Sequence, residues 1–301
     1  MPHCCALANE CVMRFKSGKE FLNLSSKAVT VLGMSGVGKT TVSRMLHDKS
    51  WFQYSVDYRI GTRYMDEYIV DNFKREANKN EFLKGLLRSD SIYIRSNITF
   101  ENLEPLSTYL GKPGNPDKGG ITFAEYKIRQ AQHRDAERKS LLDVPAFIEK
   151  ARTIYRYENF ICDSGGSLCE VVNPDDPDDA VLKALSASTV MIYIEGTEKH
   201  IAELVKRFIQ HPKPMYYQPQ FLDEKWAEYK SLNKISNDNG VDPDRFAEWG
   251  YAQLLKHRAP IYKKIADQFG YTVRMQDIPT LDTEEKFNAF IARTIDETVK
   301  S

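Results

Sequence analysis

Two kinds of apolar patterning alternate along the chain. Short, often β-branched apolar runs read as buried strands, and longer stretches with apolar residues every three or four positions read as helices with one face on a core. Residues 28–47 (AVTVLGMSGVGKTTVSRMLH) give strand, glycine-rich loop and helix. FQYSVDYRIG (52–61) has the β-rich make-up of a second strand, and residues 62–87 read as helix. The charged stretch 121–152 is helical with a break at Pro145, and YENFICDSGG (157–166) holds a short buried strand ending at Asp163. TVMIYIEG (189–196) is a further strand, TEKHIAELVKRFIQH (197–211) a helix stopped by PKPMYYQPQF, residues 242–270 a helix or helix pair, and YTVRM (271–275) a last strand. In the final segment Phe287, Phe290, Ile291 and Ile295 form a stripe at helical spacing, suited to packing on a sheet. Strands alternating with helices predict an α/β fold with a mostly parallel central sheet.

Residues 88–120 interrupt that alternation. SIYIRSNITF is followed by GKPGNPDKGG, whose clustered Gly, Pro, Asn and Asp mark a mobile loop. Loops this long between strands and helices are more often binding lids or insertions than simple connections. The acidic run NPDDPDDA (173–180) reads as a helix-capping turn in preference to a metal cluster.

The chemistry is concentrated where the first strand meets its helix. Gly33-Met-Ser-Gly-Val-Gly38-Lys39-Thr40 fits the phosphate-binding pattern G-x-x-x-x-G-K-[ST], and it has the strand before it and the helix after it that the pattern requires. The glycines let backbone N–H groups of Gly33, Ser35, Gly36, Val37, Gly38 and the following residues turn inward around phosphate oxygens, with the positive end of the helix behind them. Lys39 is placed to reach the β- and γ-phosphates of ATP, Thr40 to ligate Mg²⁺, and Thr41 completes the loop. Asp163 closes the apolar run Phe160-Ile161-Cys162, which brings its carboxylate to the C-terminal edge of the sheet, as a second Mg²⁺ ligand or a helix cap. Gly165-Gly166 directly after it is either a turn or a presenter of backbone N–H groups to a substrate. Asp57, after Tyr54-Ser55-Val56, stands where a carboxylate can accept the proton of an attacking hydroxyl. The expected fold is thus a three-layer αβα sandwich of the P-loop type. It has a long insertion at about 70–150 after the second strand and an N-terminal extension, 1–20, before a single domain, 21–301.

Composition narrows the partners. Among 301 residues, 42 basic side chains balance 42 acidic ones, so no net field draws the chain to nucleic acid or an anionic membrane. No apolar run approaches the roughly 18–20 residues of a membrane span. Five cysteines, an odd number, argue for reduced thiols and a cytoplasmic location. His3, Cys4, Cys5 and Cys11 lack the paired spacing of zinc sites, and the frayed-terminus reading is preferred.

The phosphate loop, the aspartate after the second strand and CDSGGS together resemble the shikimate kinase branch of the P-loop kinases. The resemblance implies that Asp57 contacts the acceptor hydroxyl and that Gly165-Gly166 binds acceptor through backbone amides. It further makes MIYIEGTEKHIAELVKRFIQHPKP the strand, helix and cationic lid over ATP, with a lid region at about 205–245 and Arg207 and Lys213 as lid cations. HRAPIYKKIADQFGYTV is similar to the family's late helix, which puts Arg258 near an anionic acceptor group. Arg129 and Arg134, and also Arg59 and Arg63, are candidates for the family's substrate arginine, and a solvated helix face is the alternative for these charges. The family has Arg-Pro where this chain has Lys213-Pro214, and a lysine presents a point charge in place of a bidentate fork. YSVDYRIGTRYMDEYIVDNFKREA also resembles a group of bacterial proteins labelled only as ATPases, over nearly the whole chain.

The expected activity is transfer of the γ-phosphoryl group from ATP to a hydroxyl of a small, anionic acceptor. Two alternatives are a kinase acting on a nucleotide or macromolecule through the long insertion, and a regulatory ATPase switch whose insertion binds a protein. Either a monomer or a homodimer fits the sequence. A switch gains little from an acceptor-side carboxylate and arginine, so Asp57 and Arg258 favour the kinase.

Overall fold

The computed structural model describes residues 12–47 and 51–300, and the cysteines at 4, 5 and 11 with His3 lie outside these ranges. The chain forms two compact units: one of residues 1–56, 138–209 and 252–301, the other of 57–137 and 210–251. The insertion and lid ranges expected from the sequence therefore fall partly in each.

The first unit is built on a five-stranded parallel sheet of order β2-β3-β1-β4-β5. Its strands are β1 (Ala28–Leu32), β2 (Trp51–Ser55), β3 (Asn159–Asp163), β4 (Val190–Glu195) and β5 (Gly270–Arg274). β1 lies at the centre with all five residues buried, paired to β3 on one side and β4 on the other. Complete burial is why this strand is a continuous apolar run and does not alternate. Helices cover both faces. Trp51 and Tyr54, three positions apart on β2, point to opposite sides of the sheet. The Trp51 ring meets Phe287 of the last helix, Glu284–Lys300, at 5.7 Å, while Tyr54 meets Phe147 of the helix Val144–Thr153 at 4.9 Å. Phe287, Phe290, Ile291 and Ile295 are buried as their spacing required, each contributing about 1.5–3 kcal/mol of apolar burial. Before the sheet, Ser17 caps the short helix Gly18–Leu22, and Gly18 N–H donates to Asp296 Oδ1 at 2.8 Å.

The second unit is helical. It contains Asp66–Ala77, Glu81–Arg88, Glu104–Leu110 and Pro219–Leu232, with the N-terminal parts of Phe123–Leu142 and Pro243–Phe269. Its core is aromatic: Phe123 stacks on Trp226 at 4.4 Å, and Trp226 meets Phe246 edge-on at 4.9 Å. Tyr216 and Tyr217 are buried in this unit, Tyr216 beside the His133 ring at 5.0 Å.

The structure corrects three boundaries. The second strand stops at Ser55, where a strand through Gly61 was expected; Val56–Arg59 is α-helical and Ile60–Tyr64 a π-helix. β2 is an edge strand whose single neighbour, β3, ends opposite it at Asp163, so nothing continues the ladder past Ser55. The single helix expected over 62–87 is two, because Asn80 accepts hydrogen bonds from the N–H groups of Phe82 and Leu83 and starts a new helix. Within the expected loop 88–120, Glu104–Leu110 is helical. The acidic run 173–180 does cap a helix: Asp179 Oδ1 accepts from the N–H groups of Val181 and Leu182. Among the described residues no helix is long and apolar enough to cross a membrane.

Candidate phosphate-binding site

The glycine-rich loop leaves the C-terminal end of β1, where the connections on its two sides diverge to β3 and β4, the position at which open parallel sheets bind ligands. Met34 and Val37 are each 1% exposed and pin the loop to the core, whereas Ser35 and Gly36 face outward. Gly33 has φ +139°, a conformation for glycine, and a Cβ there would stand 2.7 Å from the backbone oxygen of Ile194 in β4.

Lys39 opens the helix Lys39–His47 and is buried, with Nζ donating to the carbonyls of Gly33 at 2.8 Å and Met34 at 3.0 Å. The ammonium is thereby held within the span of the loop. Thr40, next on the helix, donates its hydroxyl to Asp163 Oδ2 at 2.6 Å. Register explains the meeting: Asp163 pairs with Val31 across β1 and β3, two residues before the loop begins. A hydroxyl and a carboxylate are hard oxygen donors that fit Mg²⁺, which is held by one or two carboxylates together with phosphate oxygens and water. Consistent with so sparse a set, no group of three or more His, Cys, Asp or Glu side chains among the described residues forms a cage for a metal.

The glycine turn after β3 lies against the loop. Asp163 Oδ1 accepts from Gly165 N–H at 3.3 Å, and a Cβ on Gly166 would be 2.4 Å from Ser35 Oγ. Arg258 is 2% exposed; its Nη1 donates to the Gly166 carbonyl at 2.9 Å and its Nε to Glu170 Oε1 at 3.0 Å. Burial alone would lower the pKa of this guanidinium, but the Glu170 carboxylate overrides that effect and raises it. Arg258, expected to face an acceptor, is thus engaged in bracing the turn. Glu170 escaped the sequence reading: it stands in SLCE after the glycines, with nothing in the string to mark a buried ion-pair partner.

His200 was also missed. It is 4% exposed on the helix Glu198–Gln210, and its Nε2 has no hydrogen-bond partner among the described residues. A Cβ on Gly36 would lie 3.9 Å from that atom. Burial, and then the positive charge of Arg207, push its pKa below the ordinary histidine value. Arg207, on the same helix, is exposed.

The remaining predicted residues lie in the second unit. Asp57 is half-buried in the first turn of Val56–Arg59, two residues past the strand, and Arg63 is exposed on the π-helix. Arg134 is exposed on Phe123–Leu142, while Arg129 is buried there, donating to Glu125, Asn72 and the Tyr109 carbonyl. Lys213 is largely exposed, 3.9 Å from Glu104.

No protein-family model matches the chain, and no curated protein matches it. Solved structures similar to this chain include two shikimate kinases. A shikimate kinase from Bacteroides thetaiotaomicron is 14% identical with a TM-score of 0.35, over 91% of this chain and 99% of that one. A shikimate kinase from Acinetobacter baumannii, in complex with shikimate, is 15% identical with a TM-score of 0.38, over 88% and 96%. Likeness at this level adds nothing to what sheet order and the phosphate loop establish directly.

Proposed function

We propose that this chain is an ATP- and Mg²⁺-dependent kinase transferring the γ-phosphoryl group to a hydroxyl of a small, anionic acceptor. The observation that carries the nucleotide half is the Thr40–Asp163 hydrogen bond at 2.6 Å beside a loop that already encloses the Lys39 ammonium. Phosphoryl transfer needs little covalent help from the protein and depends on alignment and on positive charge around the transferring group. Lys39 supplies that charge at the β- and γ-phosphates, while Thr40 and Asp163 hold Mg²⁺, which when bound neutralises charge on the same oxygens. Arg207 and Lys213 are the proposed lid cations, and Arg63 and Arg134 the proposed contacts to acceptor anions. Asp57 orients the acceptor hydroxyl and takes its proton. The Gly165-Gly166 turn, braced by Arg258, fixes the floor beside the phosphates. Solvent-exposed arginines suit a ligand that arrives with its own negative charge.

The test is Mg²⁺-dependent ADP release by the full chain with and without a pooled bacterial metabolite extract, for wild type, Lys39→Ala and Asp57→Asn. The kinase reading expects stimulation by extract that Asp57→Asn removes while ATP binding survives. Turnover indifferent to both extract and Asp57, yet abolished by Lys39→Ala, would overturn it and favour the switch.

A further inference from the structure

In the second unit, residues 80–98 include none of the proposed catalytic or binding residues. Asn80 caps the helix Glu81–Arg88, none of whose residues is buried, and Phe82 on it is 73% exposed. The chain then runs through Ser91–Ile98 (SIYIRSNI) in strict alternation: Ser91, Tyr93, Arg95 and Asn97 are exposed, and Ile92, Ile94, Ser96 and Ile98 half-buried. A period of two is that of a strand, and Ile and Tyr are strand-forming residues. No strand among the described residues lies beside it. Among the described residues, no backbone N–H of residues 92–98 donates a hydrogen bond, and the Asn97 carbonyl alone accepts one, from Asn102 Nδ2 at 2.7 Å.

The segment is nevertheless anchored. Ser96 donates its hydroxyl to Asp66, and Ile98 packs where Gly61 has no side chain, a Cβ there coming 2.8 Å from Ile98 Cδ1. A cleft of about 700 Å³ runs beside it, lined in part by Leu87, Ile92, Tyr93, Ile94 and Arg95. An anchored edge with strand-like alternation and unused backbone groups is a template for strand addition.

We infer that this edge pairs antiparallel with the same segment of a second copy of the chain, about a two-fold axis at Tyr93. In an antiparallel pair, opposed residues project to the same side, so a symmetric pair must be centred on a residue. Centring on Tyr93 sets Ile92 opposite Ile94 of the second copy, and Ile94 opposite Ile92, on the half-buried face. On the exposed face Tyr93 meets itself and Arg95 meets Ser91, with Arg95 diagonal to the second Tyr93 ring. Asp90 falls opposite Ser96, so no like charges oppose each other. Centring on Ile92 would set Asp90 against Ile94, and centring on Ile94 would set Ile92 against Ser96. The segment supplies its own complement in one register, which an unrelated peptide would have to match. This inference stands independently of the kinase reading.

Sedimentation velocity on the full chain over a wide concentration range tests it. We expect a concentration-dependent dimer. Tyr93→Asp, which opposes two carboxylates, raises the dimer dissociation constant at least tenfold, while Tyr93→Phe leaves it within a few-fold. A circular dichroism spectrum and a urea-unfolding midpoint of Tyr93→Asp that match the wild type show that the fold survives. Under mild oxidation Tyr93→Cys gives a covalent dimer beyond the background of the wild-type cysteines, whereas Ile92→Cys and Arg95→Cys do not. A chain that is monomeric throughout overturns the inference, including one that captures extended peptides as a monomer. So does a dimer indifferent to Tyr93→Asp, or cross-linking at 92 or 95 equal to that at 93.

Discussion

Replacing Arg258 with methionine removes half of an ion pair in which both members are almost wholly enclosed, Arg258 at 2% exposure and Glu170 at 3%. The methionine fills much of the arginine's volume, so the change is mainly electrostatic. It leaves the Glu170 carboxylate in the interior without its guanidinium, and it strips the Gly166 carbonyl of its donor at 2.9 Å. Breaking a buried pair from one side costs about 3–5 kcal/mol, because a buried charge loses its closest counter-ion, the His257 ring being 3.8 Å from the same carboxylate. Native stabilities are about 5–15 kcal/mol, so the variant loses a fifth or more of the total. The double replacement Arg258→Met with Glu170→Leu removes both charges and should recover at least about 2 kcal/mol relative to Arg258→Met. The assay is urea unfolding followed both by fluorescence and by ATP binding, since two compact units need not unfold in one step. A loss below about 1 kcal/mol for Arg258→Met, or a double variant as unstable as the sum of the single ones, would refute the argument that the pair sustains the turn beneath the phosphate loop.

Other expectations follow from the same site. Lys39→Ala removes the charge meant for the β- and γ-phosphates and should lower kcat/KM for ATP by roughly 10²–10³-fold, measured by coupled ADP release. Gly33→Ala forces a side chain into φ +139° and against the Ile194 carbonyl, a strain of about 1–3 kcal/mol that calorimetric titration should register as weaker ATP binding. Asp163→Asn should raise the Mg²⁺ concentration needed for half-maximal ADP release while leaving the chain folded by circular dichroism. His200 has a pKa depressed in the folded state, so below the unfolded value of about 6.5 the unfolded chain binds its proton first and stability falls with pH. Thermal unfolding between pH 7 and 5 should show that slope, and His200→Gln should flatten it.

How much of this was legible in the sequence differs by element. The strands around the phosphate loop announced themselves because burial on both faces leaves no room for polar residues, and the loop because its glycines and lysine answer to one ligand chemistry. Thr40 and Asp163 were foreseeable from the end of an apolar run, and the register that joins them was not. The end of β2 was illegible for a different reason: VDYRIG carries strand-forming residues, and their helical fate is settled by where β3 stops. Arg258 and Glu170, 88 positions apart, are coupled by tertiary packing alone, so the arginine could be singled out while its engagement with the turn could not. His200 sat in an amphipathic helical pattern that explained its apolar neighbours equally well.

The central claim is transfer to an acceptor, so the most direct measurement is the fate of the γ-phosphate. ATP labelled at that position is incubated with the full chain, Mg²⁺ and the metabolite extract, and the products are separated and identified by mass spectrometry. The kinase account predicts label in an organic phosphate ester whose formation requires both Lys39 and Asp57. Label released entirely as inorganic phosphate, at a rate that Asp57→Asn leaves unchanged, would contradict it.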